Sequence, residues 1–191
     1  MAVIHGGVVI AGAGQRVISK TIGSPAVGAA AAVHAAVTDT GAQQTVTTAI
    51  TSPDVPRTVT ATAGGTAADI KAIQVTVNGT DANGNAISEA LPAFTVDTAG
   101  TVQGAKAFAT VTSIVIPAHD GVGATTSVGT GDKLGLGVAL SRNTVVGAYF
   151  GGALEATAPA VTVNATDPAG NVVDLNSTLD GSAVIVDYYE G

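Results

Sequence analysis

The feature that most constrains this chain is a phrase written twice. Val75-Thr76-Val77-Asn78-Gly79-Thr80-Asp81-Ala82-Asn83-Gly84-Asn85 returns 86 residues later as Val161-Thr162-Val163-Asn164-Ala165-Thr166-Asp167-Pro168-Ala169-Gly170-Asn171, with eight of eleven positions identical. In both copies Val and Thr alternate with the period of two expected of a strand that buries one face. A turn signal follows at once. Asp167-Pro168-Ala169-Gly170 fits a type I turn: Asp accepts from the backbone two residues on, Pro presets the second position and Gly takes the last. The first copy spells a similar turn around Asn83-Gly84. A repeated hairpin specifies antiparallel sheet, which is architecture rather than chemistry.

The rest of the chain has the same grammar. From residue 45 onward, short runs of Val, Ile and Thr are divided by turn residues at the roughly 8–12 residue spacing of a sandwich or barrel. Strands are expected at 45–51, 57–63, 70–77, 86–90, 93–96, 105–111, 113–116, 133–140 and 144–150, then at 160–166, 172–175 and 183–188. Pro53, Pro56, Pro92 and Pro117 stand at run ends, where a missing amide donor does least harm. Gly64-Gly65, Gly121 to Gly123 and Gly129 to Gly131 mark expected turns. The fold class is all-β, an Ig-like or related β-sandwich.

Three segments are expected. Residues 1–50 form an N-terminal arm with short strands at Val3-Ile4, Val8 to Ile10 and Val17 to Ile22. Its Ala-rich stretch, Ala26 to Val37, suits either a helix capped by Ser24-Pro25 or an extended arm laid along a neighbour. Residues 51–145 form the main sandwich. Residues 146–191 form a C-terminal extension with the second hairpin copy, either an added hairpin or a small β module. Tyr149, Phe150, Tyr188 and Tyr189 hold four of the six aromatics, so this part is expected to have a small core or an interface patch of its own.

Composition narrows the function. Charged residues make up 11% of the chain and aromatics 3%, while 46% is hydrophobic, so the core is built from Ala and Val and gains little burial per residue. Part of the stability is therefore expected from oligomerisation or from docking on a larger surface. A surface of short Thr, Ser and Ala side chains loses little rotamer entropy in an interface, which suits a protein that lives assembled. Net charge is −7 with seven Lys and Arg and no basic cluster, which argues against nucleic acid or an anionic membrane as partner. The run Met1 to Ala13 lacks a positively charged start and is interrupted by Gly6, Gly7 and Gly12, so it is taken as mature sequence. With no Cys, neither disulfides nor thiolate chemistry operate.

No catalytic constellation emerges, and no enzyme or cofactor is expected. Ala11-Gly12-Ala13-Gly14-Gln15 has the start of a dinucleotide fingerprint, but Val17 stands at the third glycine position and no βαβ unit follows. His5, His34 and His119 lack partners at ligand spacing, and His119-Asp120 is expected as an exposed loop pair. No Ser, His and acid set has a nucleophile in a recognisable elbow. Asp81 to Asn85 with Glu89 fails the EF-hand order, since Gly is fourth and Glu ninth. A calcium ion held between Asp81 and Asp167 is the one metal site left open, and turn chemistry accounts for both residues without it. The glycosylation patterns at Asn78, Asn164 and Asn176 reflect the abundance of Asn and Thr.

The hairpin phrase, strand then Thr-Asp-x-x-Gly-Asn then strand, resembles bacterial immunoglobulin-like modules of surface adhesins. Over a longer span the chain resembles structural proteins of tailed bacteriophages. The residues that carry this likeness are Ile50 to Thr60, Asn78 to Leu91, Lys106 to Ile114 and Gly131-Asp132-Lys133-Leu134-Gly135-Leu136, across roughly residues 50 to 150. The resemblance implies a virion component with an Ig-like or related sandwich that decorates the capsid exterior. Its implied partners are the phage major capsid protein and further copies of itself, a trimer being one option. A tail-tube or fibre-associated protein, or an adhesin module binding glycan or calcium, are the alternatives. The resemblance assigns no catalytic or cofactor-binding residue.

Overall fold

The computed structural model describes residues 16–189 throughout and the backbone of two short strands before them. The strands in chain order are β1 (Val3–His5), β2 (Val8–Ala11), β3 (Val17–Gly23), β4 (His34–Thr38), β5 (Gln44–Val46), β6 (Arg57–Gly65), β7 (Thr76–Thr80) and β8 (Ala86–Ala90). They continue as β9 (Gly100–Phe108), β10 (Thr110–Ile116), β11 (Ala124–Gly135), β12 (Val145–Phe150), β13 (Ala153–Leu154), β14 (Ala160–Thr162), β15 (Val172–Asp174) and β16 (Val184–Tyr189). Two single-turn 3-10 segments, at Ala67–Asp69 and Pro168–Gly170, are the helical elements among the described residues. No described helix is long and apolar enough to cross a membrane. The chain is all-β, and its antiparallel sheets face one another as in a sandwich.

One strand organises the whole. β11 pairs with β6 along one edge, while β4 takes the first half of its other edge and β15 the second half. With β9 beyond β6 and β14 beyond β15, this makes a six-stranded sheet. The ladder between β11 and β6 breaks between Thr130 and Leu134, so residues 131–133 bulge out of register. A bulge bends a strand and increases its local twist. The two halves of β11 accordingly face two different partners.

The first half packs against the sheet β5-β10-β7-β8. Val59, Ala61 and Ala63 of β6 and Ala124 and Val128 of β11 meet Val77 of β7 and Val111, Ile114 and Ile116 of β10, with Phe94 and Phe108 as the aromatic members. Beyond the bulge, Leu134 and Val173 meet the sheet β13-β12-β16-β3 through Ala148, Val184, Val186 and Tyr188, and Leu136, Leu140 and Leu179 fill the centre. The C-terminal part thus has its own core, in which Tyr188 is buried and Phe150 packs at the margin.

Several expectations need correction. Residues 17–50 are extended, but they are laid along their own chain rather than along a neighbour. β3 pairs with β16, β4 with β11 and β5 with β10, and Ala26 to Val33 forms no helix. The boundary expected near residue 50 therefore does not separate an arm from a body: β3 lies in the sheet of the C-terminal part. Gly129 and Gly131 mark no turn and sit inside β11. A Cβ at Gly129 would strike the carbonyl of Ala29, where the backbone crosses β11 closely, and one at Gly131 would strike the side chains of Gln103 and Thr58 from β9 and β6 of the same sheet. The runs at 70–75 and 93–96 are irregular, yet they bury Ile70, Ile73, Val75 and Phe94.

Candidate functional site

Asp81 and Asp167 are each engaged in the turn of their own hairpin. Asp81 opens the β7–β8 turn, where Oδ1 accepts from the amides of Asn83 (2.8 Å) and Asn85 (2.9 Å) and Oδ2 from Asn85 Nδ2 (3.1 Å). Burial works against its charge, but these donors outweigh it and hold the carboxyl below the ordinary aspartate range. Asp167 accepts from the Ala169 amide and pairs with Lys106 Nζ at 2.9 Å. Both carboxylates are engaged by the protein, and no group of three His, Asp or Glu able to hold a metal lies among the described residues. Asn78 of β7 donates to Ser113 Oγ of β10, and Asn164 Oδ1 accepts from the Thr166 amide and hydroxyl and from the Asp167 amide.

The glycine-rich Gly12 to Gln15 and the side chain of His5 lie outside the described residues. His34 is half-buried, with Nδ1 against the Ala35 carbonyl. His119 is a correction. It lies buried at 6% exposure, stacked on Phe94, with both ring nitrogens bonded. The Gly-rich loop around it suggested exposure, yet a ring packed on Phe94 is part of the first core's rim.

Arg57 is the most consequential polar residue, and it sits where the two cores meet. Its side chain is fully buried. Nε donates to the carbonyl of Gly131 in the β11 bulge (2.7 Å), Nη1 to Ala26 O (2.8 Å) and Asp54 Oδ1 (3.0 Å), and Nη2 to Asp132 Oδ1 (3.5 Å). The guanidinium thus occupies a carbonyl that the bulge has taken out of the ladder, and four of its five N–H donors find acceptors, which lets the charge be buried. Burial of Asp54 opposes ionisation, but the Ala26 amide and the Arg57 guanidinium prevail and hold it below the ordinary range. The period of two was the available signal: Arg57 is in phase with Val59, Ala61 and Ala63, all buried.

The surface is shaped by how its sheet edges end. β8 and β9 approach each other edge to edge, and Glu89 closes the gap by accepting from the amides of Ala105 (2.6 Å) and Lys106 (3.2 Å). A Cβ at Gly104 would displace that carboxylate and Leu91. The edges of the C-terminal part are different. β3, β13 and β14 each end a sheet, and among the described residues nothing pairs with their outer sides. They present Val17, Ser19, Thr21, Ala153, Leu154, Ala160 and Thr162 to solvent. Between β13 and β14 lies a shallow groove of about 170 Å³ lined by Val145, Val146, Leu154, Pro159 and Val161 together with the polar Asn143 and Glu155. Val146 and Leu154 are more than half exposed. Compared with family models, with curated proteins and with solved structures, the chain matches none.

Proposed function

We propose that the protein is a structural component of a tailed-phage virion, a decoration protein that binds the outside of the head and stabilises its lattice. The observation that carries this reading is the set of open edges β3, β13 and β14, which expose mostly short side chains, with Lys20 the one charge in β3, beside a groove of mixed polarity. Soluble proteins usually protect such edges with charge, Pro or a covering segment, as Glu89 does between β8 and β9. An edge left open offers a row of amides and carbonyls to a strand of another subunit, and Ala, Ser and Thr beside it are fixed at little entropic cost. The partners are the major capsid protein and further copies of this chain. Its acidic balance keeps it off DNA.

The test uses the full-length protein and heads that lack it. Purified protein is titrated onto them, and the copies bound per particle are counted after sedimentation. Saturation at a copy number matched to the capsid lattice is the expected result. Absence of binding overturns the head assignment. Rings or stacked polymers of the free protein would then favour the tail, and a calcium-dependent melting midpoint would favour an adhesin.

A further inference from the structure

We propose that His119 is an acid-released latch: protonation of its imidazole breaks the bond to the Lys71 amide and loosens the loop at 117–123 against the segment at 67–73 at that one contact. Nδ1 lies 3.2 Å from the Lys71 backbone nitrogen, which can only donate, so Nδ1 must be the acceptor. The ring proton is then on Nε2, which donates to Thr126 Oγ1 at 2.9 Å. The neutral ring satisfies both partners. A second proton would sit on Nδ1 and confront the N–H of Lys71.

The latch closes a compact knot. The His119 amide donates to Asp39 Oδ1 at the end of β4, the Asp120 amide to Asp69 O, and the Gly123 amide to Asp69 Oδ2. Lys71 Nζ pairs with Asp120 at 3.2 Å. The ring stacks on Phe94, at 6.0 Å between centroids and 21° between planes, and so covers one end of the first core. The charges around it are Asp39 beyond β4, Asp69 and Lys71 at the 3-10 turn, and Asp120 on its own loop. Asp97 follows Phe94, and its amide donates to Ile70 O. β11 contributes the neutral Thr126. Burial disfavours the imidazolium, Asp39 and Asp120 favour it, and burial prevails, so the imidazole lies below the ordinary histidine range. Its contribution is therefore complete above a pH of about 6.5 and is lost as pH falls from there through the folded value.

Nitrogen NMR of the full chain reads the ring directly, and hydrogen exchange reads the Lys71 amide at pH 7.5 and at pH 5, corrected for intrinsic rates. An Nε2–H tautomer at pH 7.5 is expected, with a titration midpoint below about 6.5. Lys71 protection falls on acidification, by up to about thirtyfold at pH 5, the limit set by the distance of that pH from the ordinary histidine value. In His119→Gln the acid-dependent loss disappears. An Nδ1–H tautomer, a midpoint at or above the ordinary value, or unchanged Lys71 protection overturns the latch. An equal loss in His119→Gln also overturns it by assigning the effect to the carboxylates. If that variant fails to fold, the two wild-type readouts decide.

Discussion

The two copies of the repeated phrase form two different hairpins. In the first, Thr76 faces Ala90, fourteen residues on, and five ladder pairs run to the turn Asp81 to Asn85. In the second, Thr162 faces Val172, only ten residues on, and the ladder has three pairs. The register has slipped by four residues between near-identical sequences. In the first copy Asp81 is the residue on which the turn is hung. In the second that role passes to Asn171, fully buried, whose Oδ1 accepts from Asn164 N and Leu140 N and whose Nδ2 donates to Asn164 O and Asp167 O.

The neighbouring strand accounts for the difference. β7 is an inner strand with β10 on its far side, and at Gly79 the two backbones approach so closely that a Cβ would run into the Thr110 carbonyl. The second copy has Ala165 at this position and no strand beyond it, because β14 is an edge. With Pro168 and Ala169 replacing Ala82 and Asn83, its loop folds into a 3-10 turn whose Asp167 caps the Ala169 amide. Each turn then reaches toward the other part of the molecule: Asn83 Nδ2 donates to Gly137 O, and Asp167 pairs with Lys106.

Arg57 joins the two parts, so its replacement is the strongest way to separate them. Arg57→Met should cost about 3–5 kcal/mol, because it strands the bulge carbonyl and leaves Asp54 without its cation. Urea unfolding followed by NMR at both hairpins would then show two transitions in place of one. A single transition with an unchanged midpoint would mean that the bulge supports itself. A smaller effect is expected where the copies differ most. Gly79→Ala should destabilise by about 1–3 kcal/mol, while the reciprocal Ala165→Gly should stay within about 0.5 kcal/mol. Equal effects at the two sites would remove the neighbouring strand as the cause of the slipped register.

Acid should distinguish the turns most gently. Asp81 is held below its ordinary value, so its contribution is complete above a pH of about 4 and is lost as pH falls through the folded value. The second turn is anchored by the uncharged Asn164 and Asn171 and lacks this dependence at its centre. Amide exchange at Asn83 and Asn85 below pH 4 should rise in the wild type, and the rise should vanish in Asp81→Asn. Persistence of the rise in that variant would move its origin elsewhere.

Where a segment pairs only with its sequence neighbours, the residues announced the outcome. Ala86–Ala90 matches its expected bounds because one face, one turn and one partner decide it. The run at 184–189 was legible for a different reason: every second residue is buried, although its partners β12 and β3 lie far away in sequence. β11 was not, because Gly129 answers to the backbone crossing at Ala29 and Gly131 to the side chains of Thr58 and Gln103, which no local pattern reveals. At the candidate calcium pair the turn chemistry was legible at Asp81 and at Asp167, but the pairing of Asp167 with Lys106 was not, because Lys106 comes from a distant strand. Arg57 carried a signal in its phase, but its partners at 26, 54, 131 and 132 come from separate segments.

Alternation of Val and Thr and the Asp, Asn and Gly turns were enough by themselves to determine antiparallel sheet and hairpins, whereas the Ala and Val core expected from composition is filled out by Ile, Leu and Phe at its centre. Sheet and hairpins are local properties, set by backbone sterics and by which face each side chain occupies. The tertiary structure alone decided that one bulge would divide β11 between two cores, that Arg57 would fill it, that β3 would join the C-terminal sheet, and that one phrase would adopt two registers. Those outcomes rest on close approach between segments distant in sequence, where the room left beside a single Cβ determines which pairing can form.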